Sequence, residues 1–265
     1  MIKFNSDVFD LYPPRNVEFN LSDSNIPSDK DIFFRAKQKE TLDRYQAARR
    51  FMYEIDTDDW GHYFKPVDND IANNYFQTTY RSQFYEAALI FYNTVVDLSW
   101  ISCYVSLEYS VYLNGGTIET ERITSVEEAY NALRCEEKLI EHPRSDNTPF
   151  NYLKSMCPEY SDIIDYIIDF WDNFGTSSIR ANYNFFKHKG KLCYKEIQQL
   201  EPNRIFSFRV NDKLCPSDVR DVQKAICLSD SIKELMDFDN NLLYPYIQGL
   251  FHRLEKLVKP SPFIF

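Results

Sequence analysis

Four side chains in TSSIRANYNFFKHKGKL, residues 176 to 192, are of types that do chemistry together: Arg180, Asn184, Lys187 and His188. On an α-helix they fall within roughly 100° of one another, along one side. A guanidinium, an amide, an ammonium and an imidazole in one row suit a phosphate, and an imidazole can move a proton near neutral pH. Ile179, Tyr183 and Phe186 form an apolar stripe beside the row that would hold the helix on a core. Ser177 or Ser178 can cap its start and Gly190 can close its end. Lys187, His188 and Lys189 fall in the last turn, where cations suit the helix dipole. The row also has a purely structural reading, with Arg180 paired to Asp97 or Asp172 inside a bundle and His188 serving only as a terminal helix cation.

Rival chemistry is sparse. Asp56, Asp58, Asp59, Asp68 and Asp70 crowd the segment before residue 74, but they lack the spacing of a calcium loop and read as solvated surface. Trp60 and His62 lie in the same segment, where a loop tryptophan more often covers a core than lines a pocket mouth. No GxxxxGK[ST], GxGxxG or HExxH pattern occurs, and no metal or other cofactor is expected. The six cysteines stand singly, without a CxxC pair or a secretory signal ahead of Phe4, which reads as reduced thiols in the cytoplasm. A formal charge of −10 argues against coating nucleic acid through general electrostatics and leaves room only for a local basic site.

The element that must position the row is the apolar stretch from about Thr79 to Leu113. Between Ala87 and Leu107 its only charge is Asp97, and apolar side chains occur on every face, which predicts a central helix surrounded by protein. A membrane span of about 20 residues is the weaker reading, because Asn93, Thr94, Asp97 and three serines interrupt it and no Lys/Arg cluster flanks it. Asp97 should then meet a donor inside the bundle. The helix is expected to end at Asn114-Gly115-Gly116.

Around it, residues 1–27 read as an extended arm or small hairpin, broken by three prolines. Helices are expected from about Asp29 to Ile55, from Ser125 to about Ile140, from Pro149 through Met156, from Pro158 to Phe174-Gly175, from a Ser217 cap through Leu235, and from about Asn241 to Val258. His142 to Asn147 reads as a loop, and RIFSFRV, residues 204–210, as a strand that could pair with the N-terminal arm. The fold class is therefore mainly α: a helical bundle around a long central apolar helix, with a small β appendage. Its expected organisation is an arm over 1–27 and a single α-helical domain over 28–265.

RANYNFFKHKG, following a long apolar helix, resembles the Arg…Asn…Lys-His signature of the HEPN superfamily, over a core of about residues 79–192. The resemblance implies a helical bundle that dimerises, and a metal-independent ribonuclease or RNA-binding effector of the kind found in bacterial antiviral defence and toxin systems. Carried over, Arg180 and His188 are the catalytic pair, the first polarising a scissile phosphate and the second moving a proton as a ribose 2′-hydroxyl attacks. Asn184 orients them and Lys187 adds charge at the phosphate. Seven residues separate Arg180 from His188, a longer interval than the family's usual one. The other reading, of a different class, is a non-enzymatic helical scaffold that binds a protein partner, suggested by the acidic charge and the apolar tail Ser261 to Phe265.

Overall fold

The computed structural model describes residues 29–107, 109–114, 117–122, 150, 153–155, 157–201, 205–211, 213–218, 223–254 and 256–257. The expected N-terminal arm, the helix opening at Ser125, the loop from His142 and the tail from Ser261 lie outside these residues. So does half of the segment from Pro149 to Met156, of which 150 and 153–155 are helical.

The described chain is mainly helical. Helix α1 spans Asp29–Glu54 and the long apolar helix α2 spans Asp70–Ser106. Strands β1 (Tyr109–Asn114) and β2 (Thr117–Arg122) follow, then α3 (Ser161–Phe174) and α4 (Ser178–His188). Next come β3 (Cys193–Tyr194), α5 (Lys195–Leu200), β4 (Ile205–Val210), β5 (Lys213–Asp218) and β6 (Ala225–Ile226). Helix α6 (Leu228–Phe238), one turn of π-helix (Asp239–Leu243) and α7 (Tyr244–Leu254) complete it. No described helix is long and apolar enough to cross a membrane.

Three boundaries differ from expectation, one through a cap and two through strand pairing. Helix α2 starts earlier because the Asn69 carboxamide accepts the Ala72 backbone N–H at 3.0 Å, and it stops at Ser106, well before Asn114-Gly115-Gly116. Tyr109, Val111 and Leu113 alternate with polar residues, so the chain changes to strand period and Asn114 pairs with Thr117 across a hairpin. Similarly, Ser217 does not cap a helix: it lies in β5, opposite Phe206 of β4. Asn211, at φ 47°, takes the left-handed conformation after β4 that asparagine tolerates. Among the described residues, strand β4 thus pairs with the segment that follows it. The third sheet is a short parallel pair, Cys193 with Ala225 and Tyr194 with Ile226.

Contacts divide the chain into two compact units. One gathers Ala47–Ile90 and Ser178–Phe238; the other gathers Phe91–Ser177 and Asp239–Phe265 with the part of α1 before Ala47. In the second unit, α3 presents Ile163, Ile164, Ile167, Phe170, Trp171 and Phe174 to the interior. Phe170 stacks on Tyr246 of α7 with ring centroids 3.7 Å apart, and Trp171 meets Trp100 edge-on at 5.2 Å. The buried Asp239 accepts hydrogen bonds from the Tyr45 and Tyr92 hydroxyls at 2.6 and 2.8 Å, so a carboxylate in the core has donors. Asp97, by contrast, is only half-buried.

In the first unit, Trp60 is buried under the loop before α2, as a lid on the core rather than at a pocket mouth. The Arg81 guanidinium lies 4.9 Å from its ring and donates to the Ile55 carbonyl at 3.0 Å. His62 stays exposed, 3.0 Å from Asp59.

Candidate functional site

Helix α4 forms where its caps predict. Gly190, at φ 147°, takes a conformation open to glycine, and the Lys189 and Gly190 N–H groups both close on the Phe185 carbonyl. Ser178 is the first helical residue, and its hydroxyl donates to Glu234 of α6 at 2.7 Å instead of capping. Ile179 and Tyr183 are buried, as the apolar stripe requires, and Phe186 is half-buried at its edge.

The four polar residues share a side of α4 but not a depth. Arg180 is only 3% exposed, and its guanidinium lies 5.2 Å from the Tyr183 ring. Asn184, Lys187 and His188 are exposed, with the Lys187 ammonium 6.0 Å from the centroid of the same Tyr183 ring. The structure therefore brings an amide, an ammonium and an imidazole to solvent in the last two turns, and keeps the guanidinium beneath them. Lys189 and Lys191 are exposed immediately after, so the end of α4 is a local basic patch on an acidic chain.

Two further residues support this helix and were not singled out by spacing. Asn182 is buried and accepts a hydrogen bond from the Lys224 ammonium at 2.9 Å, while the same ammonium lies 5.1 Å from the Phe185 ring. Lys224 reaches α4 because Cys193 donates its backbone N–H to the Lys224 carbonyl at 3.1 Å beside the β3–β6 pairing. No local pattern announces a contact made across that sequence distance. Below Asn182, the Tyr85 hydroxyl lies near Asn182 and Ser231 without a hydrogen bond of good geometry, and burial pushes its phenol up to about 12. Glu86 beside it is pushed up by burial, against the opposing pull of the Tyr194 hydroxyl, which donates to it at 2.9 Å, and of the Lys191 charge.

Among the described residues no three His, Cys, Asp or Glu side chains converge as metal ligands. Cys227 donates to Glu196 at 3.2 Å, and burial, the largest influence on it, keeps its thiol above the ordinary range, which disfavours thiolate. What the exposed end of α4 can do is offer hydrogen-bond donors and positive charge to an anion, with one imidazole among them. Protein-family models, curated proteins and solved structures give no match to this chain, so the reading of the site rests on its own residues.

Proposed function

We propose that the chain is an RNA-binding effector of HEPN type, acting in the cytoplasm as part of a bacterial defence or toxin system, and that RNA phosphates contact Asn184, Lys187 and His188 at the end of α4. The observation that carries this reading is the joint exposure of those three side chains beside Lys189 and Lys191, on a chain whose net charge is −10. Phosphate affinity requires clustered cations, and here they are gathered in one place. Arg180 has a supporting role in this reading: lying over Tyr183, it fixes the helix that presents the cations. His188, exposed at the same end, is the group from which metal-independent cleavage would draw its proton transfer.

A fluorescently labelled single-stranded oligoribonucleotide tests the reading by anisotropy, with cleavage followed on gels of the same samples in EDTA. Lys187→Ala combined with Lys189→Ala should weaken binding at least tenfold while the thermal transition stays in place. Equal binding by the wild type and the double variant would remove the proposal. His188→Ala separates the two activities, since loss of cleavage with retained binding assigns it the proton transfer.

A further inference from the structure

Lys224 fastens the basic turn at the end of α4 from two sides. Its backbone carbonyl accepts the Cys193 N–H at 3.1 Å, where β3 and β6 pair, and so fixes the chain two residues after Lys191. Its side chain runs to α4, where the ammonium donates to the Asn182 carboxamide at 2.9 Å and lies 5.1 Å from the centre of the Phe185 ring. Phe185 is in turn the residue on whose carbonyl the helix closes, accepting the Lys189 N–H at 2.8 Å and the Gly190 N–H at 3.1 Å. The exposed Lys187, His188, Lys189 and Lys191 are therefore carried on a stretch that one residue holds at its start through a side chain and at its end through a carbonyl.

Both partners of that ammonium are neutral. Lys224 is half-buried and forms no ion pair among the described residues; an amide oxygen and a ring face hold it instead. A carboxylate in place of the Asn182 amide would add Coulomb attraction to the same hydrogen bond. It would also cancel a positive charge next to Phe185, the residue on which the basic turn closes. On a chain of net charge −10, a neutral acceptor at this place keeps the local potential favourable to an anion. A turn ordered before the anion arrives also spares the complex the cost of ordering it.

We propose that Lys224 is the positioning cation of the anion-binding surface at the end of α4: it holds residues 187–191 in one arrangement, and Asn182 anchors it without cancelling its charge. The inference rests on the RNA reading above for its ligand, a phosphodiester strand, and gives Lys224 no direct contact with phosphate.

Three variants of the full chain separate holding from charge, each followed by amide hydrogen exchange and by anisotropy of the labelled single-stranded oligoribonucleotide. Lys224→Met keeps the stem and removes the ammonium. Exchange at Lys189 and Gly190 should rise at least fivefold, and RNA affinity should fall at least fivefold. Lys224→Arg, which keeps both donor and charge, should return the two quantities to within twofold of wild type. Asn182→Asp is the discriminating change. Its exchange at Lys189 and Gly190 should stay at or below the wild-type rate, because the bond to Lys224 is retained, whereas its RNA affinity should fall at least threefold, because the charge is neutralised. A side chain that served only to stabilise the helix would leave Asn182→Asp with wild-type affinity, and that result would overturn the proposal. Equal exchange at Lys189 and Gly190 in wild type and Lys224→Met would overturn it too. So would a salt slope reduced by about 0.7 in Lys224→Met, which would make Lys224 itself a phosphate contact. If the wild type binds no RNA, the function proposed above falls, and the exchange comparison still decides whether Lys224 holds the turn.

Discussion

Arg180 and Lys187 lie about two turns apart on the same side of α4, yet only Lys187 reaches solvent. Helical angle gives the direction of a side chain and says nothing of its depth, and a helix whose first turns sink into a core buries the same face that its last turn exposes. That is why the row Arg180, Asn184, Lys187 and His188 was legible in the sequence while the separation of its guanidinium from its imidazole was not. The difference predicts opposite responses to truncation. Arg180→Ala removes a buried side chain and its contact with Tyr183 and should cost about 2 kcal/mol, from lost packing and cation–π attraction. Lys187→Ala and His188→Ala should stay within roughly 0.5 kcal/mol of wild type, as exposed substitutions do. Urea midpoints at constant slope measure all three. A destabilised Arg180→Ala would also mean that its loss of RNA activity reports folding, so Arg180→Lys belongs in any activity series.

At the scale of elements, two close approaches give sharper expectations. The Glu196 carboxylate of α5 accepts the Leu228 N–H at 2.9 Å, the Ser229 N–H at 3.0 Å and the Ser229 hydroxyl at 3.2 Å, so α6 is capped by a residue from another helix. Burial pushes its carboxyl up, but the Leu228 and Ser229 N–H groups outweigh that and hold it below its usual 4.5. A depressed carboxylate contributes stability that is present above its unfolded value and lost as pH falls through its folded one. Glu196→Gln should therefore be less stable than wild type by about 1 kcal/mol at pH 7, as for a lost cap, with the gap closing as melts are repeated below pH 4.5. In the second unit, α7 lies so close to α3 that a Cβ at Gly249 would run into the Tyr166 hydroxyl. Gly249→Ala should lower stability by about 1–2 kcal/mol despite alanine's helix propensity, and adding Tyr166→Phe should restore part of the loss in thermal melts. Failure of that rescue would place the strain elsewhere. Element boundaries were readable where a cap and a change of period coincide, as at Asp29, Phe174 and His188. They were misread at Asn114 and Ser217, because glycine and serine signal turns as readily as helix ends, and only pairing with Thr117 or Phe206 decides between them.

For the whole molecule, helical periodicity made the mainly helical class plain, but the two units leave no mark in composition. Their boundaries at Gln46/Ala47 and Ile90/Phe91 fall inside α1 and α2, where no linker residues are needed. The chain carries a net charge of −10 and exposes Lys187, Lys189 and Lys191 close together in and after the last turn of α4, so in the proposed RNA contact long-range repulsion would oppose a local attraction. Such binding must be steeply salt-dependent and local. Lys187, Lys189 and Lys191 each neutralising one phosphate of a single strand gives a slope of about −2 in log K against log salt, at about 0.7 per contact. Each Lys→Ala change should reduce that slope by about 0.7, and Asp68→Asn/Asp70→Asn should leave it unaltered while shifting affinity only at low salt. Anisotropy titrations of the labelled oligoribonucleotide across a salt series read both quantities. A slope that survives the lysine changes would mean that RNA meets the protein away from α4, and the proposed contact surface would have to be given up.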